Sequence, residues 1–197
     1  KTLTKGRTGC FGKSNTQTGV KMSELLKNII RFIIFILFQV FILNKIPPLH
    51  QFITPYLYFL FILWLPFKIP RLSLTIVGFV FGLCLDFFTK TPGLHAAACT
   101  LMAYMRPFMI NILISKEDSD FNYVAPAPSS MGWSPYIVYV LILAFIHNVY
   151  LVFLEWLQFA NFWYFLGKVI ATTGVSFLLI MITEILFYRK QKFRTNI

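Results

Sequence analysis

Apolar residues run along this chain in long, almost unbroken blocks, with short polar gaps between them. A helix needs roughly 17–25 apolar residues to cross the hydrocarbon layer of a membrane. Six blocks fit that requirement: 29–43 with an amphipathic lead-in from Leu25, then 52–67, 72–88, 94–114, 136–157 and 163–188. The second is short and carries Pro55 and Pro66, both near its ends, where a missing amide hydrogen matters least. The gaps 44–51, 68–71, 89–93 and 158–162 are short, so neighbouring spans must run antiparallel; only 115–135 is long. There is no strand alternation, no heptad run, and no matched pair of broken spans of the kind that marks inverted-repeat transporters. The pattern predicts an all-α, polytopic membrane domain of six transmembrane helices over residues 22–197.

Composition sharpens this. Of 197 residues, 57% are apolar and 13% charged, with 23 Phe, 9 Tyr and 4 Trp. A protein of this size leaves much of its surface exposed and has no interior large enough to hide so much apolar area. A soluble enzyme, a disordered chain and a secreted disulfide scaffold are excluded. The formal charge of +11 does not indicate nucleic acid, because the basic residues sit between apolar blocks and form no solvated basic face. Their placement sets orientation instead. With both termini in the cytoplasm, the inner side holds Lys27, Arg31, Lys68, Arg71, Lys116, Arg189, Lys190, Lys192 and Arg194. The outer side holds only Lys45, Lys90 and Lys168.

Residues 1–21 are polar, rich in Gly and Thr, and carry five positive charges with no acid. Such a stretch cannot build a core and is expected to be a disordered leader, an extension upstream of the working protein, with Met22 as a natural start. Gly9 to Ser14 imitates the end of a phosphate-binding loop, but Arg7 stands where the first glycine is needed and no apolar strand precedes it. Cys10, Cys84 and Cys99 are odd in number and without CxxC spacing, which gives neither a disulfide framework nor a zinc site.

Polar residues inside a span are expensive and need a reason. Gly78, Gly82 and Asp86 are spaced four apart and share one helical face, so the glycines permit close helix packing, and Gly93 is expected to pack with them. Asp86 then either braces the turn through Pro92 and Gly93 or reaches interfacial water beside Lys90. Arg106, followed by Pro107, either snorkels to the inner face, braces the fold by satisfying carbonyls freed by Pro107 or pairing with an acid, or meets a partner or ligand directly. His147 and Asn148 fall at mid-depth in the fifth span, and Glu155 lies on nearly the same face toward the outer surface. His95, Asp86 and Glu155 form a possible outer-rim cluster without metal-ligand spacing. Glu184 is placed to meet the basic tail. Glu117, Asp118 and Asp120 mark the long inner loop as either a solvated linker or a cytoplasmic docking segment. No nucleophile elbow, HExxH, paired carboxylates within a loop or glycine-rich nucleotide motif is present, so no catalytic residue, metal or cofactor is assigned.

The stretch from Gly78 through Gly82, Asp86, Gly93 and His95 to the Tyr104–Pro107 segment that contains Arg106 resembles the central signature of the MreD family. The segment from Ile146 to Phe159 resembles the His-and-Glu fifth span of one branch of the family, a branch that often has a second His where this chain has Asn148. The resemblance runs over essentially all of residues 22–197. It implies a fold similar to the six-helix substrate-binding S-components of vitamin transporters. It also implies a non-catalytic, multi-pass component of the bacterial cytoplasmic membrane that acts in cell shape and peptidoglycan synthesis. The implied partners are the scaffold MreC and, with it, RodA, a penicillin-binding transpeptidase and MreB. The alternative is a small-ligand-binding subunit of a transporter, which predicts an outward-opening pocket near Asp86, His95 and Glu155.

Overall fold

The computed structural model describes residues 15–45, 54–114, 125–155 and 161–187, with side chains from residue 25 onward. Among them every regular element is helical: α1 (Asn15–Phe41), α2 (Leu60–Leu63), α3 (Arg71–Thr89), α4 (Leu94–Leu113), α5 (Pro128–Met131), α6 (Trp133–Glu155) and α7 (Phe162–Leu186). Five of these, α1, α3, α4, α6 and α7, are long and apolar enough to cross a membrane, with mean hydropathy of 1.3 to 2.4. They coincide with the first, third, fourth, fifth and sixth apolar blocks. At 1.5 Å per residue the 19 residues of α3 extend about 28 Å, close to the hydrocarbon thickness. Their outward faces carry bare apolar side chains such as Phe87, Leu72, Trp163 and Ile112, each more than 70% exposed. Water would not tolerate so continuous an apolar surface, whereas hydrocarbon does. We therefore read the chain as a multi-pass membrane protein.

Two expectations need correction. The helix α1 begins at Asn15, so it takes in the last seven residues of the stretch 1–21 that composition assigned to disorder. More consequentially, the second apolar block is not a spanning helix. Among the described residues of this block and its connection, 54–70, only the single turn α2 is α-helical. The rest is irregular, yet it lies in the middle of the bundle: Tyr58, Phe59, Leu60, Ile62 and Leu63 are all fully buried. The segment lies against α1 in the opposite direction. Leu57 meets Gln39, and seven residues further, Trp64 lies under the Arg31 guanidinium, eight residues back along α1. Over this stretch the chain runs antiparallel to α1 without a full helix.

Around this segment α3 packs along α4, α4 along α6, and α6 along α7, while α1 lies against α3. Each junction has a local cause. Pro70 starts α3, supplying the extended residue before the first turn. Lys90 ends it in the left-handed conformation, and Gly93, at φ +86°, opens α4. Asn161 caps α7, its Oδ1 accepting from the Trp163 amide at 3.1 Å.

The α3–α4 pair is the tightest contact. A Cβ placed on Gly82 would lie 2.4 Å from the Ala96 Cα and 2.6 Å from the His95 carbonyl oxygen. One on Gly78 would lie 2.7 Å from the Ala103 Cβ and 2.9 Å from the Cys99 carbonyl oxygen. Both glycines are thus closed by the facing backbone. Gly93, expected to pack in the same way, has no neighbour within 4 Å of such an atom. Its role is conformational, because L side chains rarely adopt its positive φ.

Gly82→Ala is expected to destabilise the protein by about 1–3 kcal/mol, because the obstacle is backbone and cannot swing aside. Gly174→Ala, in the open interior of α7, is expected to leave stability unchanged or raise it by up to about 1 kcal/mol. Thermal unfolding of both variants in detergent checks the contrast.

Candidate functional site

A non-helical backbone inside a bundle keeps polar groups that lipid cannot satisfy. In residues 54–70 part of the demand is met locally, by turn bonds such as Leu60 N–H to Leu57 O and Trp64 N–H to Leu60 O, both at 3.0 Å. Further partners are side chains from four helices. Gln39 of α1 donates to the Pro55 carbonyl at 3.1 Å and accepts from the Leu57 amide at 3.0 Å. Ser176 of α7 accepts from the Tyr56 amide at 3.1 Å. Tyr139 of α6 donates to the Leu63 carbonyl at 3.3 Å. Arg106 of α4 donates through Nη2 to the Leu65 carbonyl and through Nε to the Tyr139 hydroxyl at 3.0 Å. Arg106 is only 2% exposed. Its described partners are therefore neutral oxygens of the buried segment and of Tyr139, not the carbonyls freed by Pro107.

A second polar layer lies toward the end where α4 begins. Asp86, at the last full turn of α3, reaches across to α4. It accepts from the His95 amide at 2.9 Å through Oδ1 and from the Ala96 amide at 3.0 Å through Oδ2. These are two of the amides that a helix start leaves without partners. A carboxylate there also meets the positive end of the helix dipole. The His95 ring Nδ1 lies 2.8 Å from the same Oδ1, and Thr91 Oγ1 donates to it at 3.1 Å. Asp86 is thus a cap supplied by the preceding helix, and it continues the face on which Gly78 and Gly82 pack.

Further into the bundle, Asn148 Nδ2 donates to Thr173 Oγ1 at 3.2 Å, which turns its Oδ1 toward His147 Nδ1 at 3.2 Å. An amide oxygen only accepts, so His147 carries its proton on Nδ1 and its bare Nε2 accepts from the Tyr58 hydroxyl at 2.9 Å. His147 and Asn148 are fully buried. The chain of bonds joins α6 to α7 and to the irregular segment. The rings of Tyr56 and Tyr58 stand edge-on to both His95 and His147, with Tyr58 5.6 Å from the first and 5.4 Å from the second. Side chains therefore occupy the space between the two histidines.

Of the residues singled out from the sequence, Asp86 and His95 meet each other directly, and His147 and Asn148 meet each other. Glu155 pairs instead with α7, its Oε2 2.6 Å from Lys168 Nζ. The outer-rim trio of His95, Asp86 and Glu155 is thus divided between two sets of contacts. Among the described residues no three His, Cys, Asp or Glu side chains gather closely enough to hold a metal ion. Glu184, expected to meet the basic tail, accepts from Trp64 Nε1 at 3.0 Å and is buried. Glu117, Asp118 and Asp120 lie outside the described residues. Gln39, Tyr58, Tyr139, Thr173 and Ser176 were missed by sequence reasoning. Two signals were there to find: Gln39 is the one amide in the first apolar block, and Thr172 and Ser176 recur at helical spacing in the last.

The arrangement is built to hold elements together. Asp86 and His95 are 4% and 6% exposed, which leaves little access for a substrate in water. Compared with protein-family models, with curated proteins and with solved structures, the chain matches none.

Asp86→Ala is expected to cost about 2–4 kcal/mol, since it strips a charged acceptor from two buried helix amides and from His95. Asp86→Asn should lose less, keeping one acceptor oxygen. Unfolding midpoints of the two variants in detergent rank them.

Proposed function

We propose that this protein is a non-catalytic membrane scaffold of the bacterial cell-elongation machinery. It would cross the cytoplasmic membrane six times, with both termini in the cytoplasm, bind MreC, and help organise RodA, a penicillin-binding transpeptidase and MreB around peptidoglycan synthesis. The family assignment rests on the resemblance of the Gly78–Gly82–Asp86 and Gly93–His95–Arg106 stretches to the MreD signature. The observation that carries the scaffold reading is the use made of the buried polar groups. Asp86, His95, Arg106, His147 and Asn148 bond to one another, to neighbouring backbone or to other interior side chains, which favours a rigid body over a reactive centre. The five long helices form five passes, and the irregular segment 54–70, which runs the other way along α1, supplies the sixth. The same interior speaks against the transporter-subunit alternative, because Tyr56 and Tyr58 stand where its ligand would sit.

In a membrane, apolar burial alone drives little association between helices, so a partner must be held by close packing and polar contacts. A single-pass scaffold helix laid against the exposed faces fits that physics. Purification of the tagged protein from bacterial membranes in mild detergent is expected to retain MreC, and with it RodA and the transpeptidase. Recovery of the protein without any of them overturns the reading. For orientation, a fluorescent reporter fused after Arg194 is expected to mature in the cytoplasm, and an alkaline phosphatase fused there to stay inactive. Phosphatase activity at that position would reverse the topology.

A further inference from the structure

At the end of the bundle where α3 begins and α4 finishes, a cavity of about 340 Å³ is lined by Phe67, Pro70, Arg71, Arg106, Pro107 and Asn111, among others. Two arginines on one small cavity within an apolar bundle call for a counter-charge. Arg106 is 98% buried, and the partners of its Nε and Nη2 are a hydroxyl and a carbonyl, neither of them charged. Its Nη1 makes no hydrogen bond among the described residues, yet it is not sealed off by protein, so it is left to the cavity. Arg71, the first residue of α3, is held by its guanidinium over the Phe108 ring, 5.0 Å from the centroid. Neither guanidinium forms an ion pair among the described residues. The start of α3 has no side-chain cap, so its amides and positive dipole end add to the same field. Asn111 contributes an amide at the rim.

A buried cation answered only by neutral oxygens is costly in a membrane protein, and an anion beside it removes most of that cost. Two guanidiniums flanking a helix N-terminus are the donors that suit a phosphate: planar, forked and always charged. The geometry points to a phosphate-binding site between Arg71 and Arg106, taking the phosphodiester of an anionic phospholipid or a free phosphate. The distribution of Lys and Arg puts this end at the level of the cytoplasmic headgroups, where anionic lipids concentrate. The site depends on the cavity and not on the scaffold reading, and it stands or falls separately.

The test uses the full chain in detergent, titrated with phosphatidylglycerol, with phosphatidylcholine, or with inorganic phosphate, and followed by thermal unfolding and native mass spectrometry. Phosphatidylglycerol is expected to raise the unfolding temperature saturably by several degrees and to stay bound in the gas phase, while phosphatidylcholine does neither. Arg71 is exposed, so Arg71→Gln should fold normally and bind phosphatidylglycerol about tenfold more weakly, the equivalent of one charged hydrogen-bond contact. Arg71→Lys should recover part of the loss. Stabilisation by inorganic phosphate as strong as by the lipid supports the site and assigns it to free phosphate. Equal responses to the two lipids with none to inorganic phosphate, or unchanged affinity for the responding anion in Arg71→Gln, overturn the proposal. So does a protein that answers to no anion and is destabilised when Glu117, Asp118 and Asp120 are neutralised, because its own carboxylates would then fill the site.

Discussion

A bundle in lipid can enclose a stretch of chain that is not helical only if the bundle itself supplies every hydrogen bond that water would have made. That constraint organises this molecule. Residues 54–70 lie among the long helices with most of their apolar side chains buried, and Gln39, Arg106, Tyr139 and Ser176, drawn from α1, α4, α6 and α7, answer several of their amides and carbonyls. Each of those side chains would be a liability in an ordinary spanning helix. Here each one ties its helix to the same central segment. Aromatic packing adds to the hold: Phe61 stacks on Phe81 of α3 at 4.8 Å, and Phe32 of α1 stands edge-on to both. Every long helix therefore touches the segment or a residue bonded to it, and the bundle closes around a centre that has no regular structure of its own.

The α3–α4 pair solves a different problem by related means. Two helices joined by the four-residue turn 90–93 must pack almost along their whole length, and their backbones must approach closely to do so. Gly78 and Gly82 allow that approach, and one turn further on the same face Asp86 finds the open amides at the start of α4. Steric closeness and charge thus cooperate. The carboxylate reaches its two amides because the glycines have brought the helices together, and the buried charge is tolerable because those amides and His95 receive it. A polar residue that looks like chemistry from its position in an apolar span is, in its setting, a device of assembly.

This has a bearing on function. A transporter subunit or a membrane enzyme needs an interior that admits a ligand or rearranges around one. The interior here has direct bonds from His147 to Tyr58 and from Asn148 to Thr173, with the Tyr58 ring against His95. Such networks are satisfied in one arrangement and penalised in others, because a polar group freed in a low-dielectric interior finds no substitute. Rigidity of that kind suits the scaffold role we propose. The exception is the end of the bundle near Arg71 and Arg106, where positive charge meets a cavity with no anion of the chain's own beside it among the described residues.

Much of this was legible in the residues. Block length and hydropathy placed α3, α4, α6 and α7 within a few residues of their observed ends, since a continuous apolar run of about twenty has one stable form in lipid. The shared face of Gly78, Gly82 and Asp86 followed from helical spacing. The second block was misread because an apolar run reports burial, not conformation. Leu57–Leu65 is short enough to be either helical or irregular, and periodicity does not separate the two. Which polar side chains would meet was also hidden. Arg106 and Leu65 are 41 positions apart, Ser176 and Tyr56 120. From sequence alone came the solvent of this protein, hydrocarbon, because composition and run length depend on no partner. The conformation of its central segment and the roles of its buried charges were left to tertiary structure, because a hydrogen bond between distant residues exists only once the chain has brought them together.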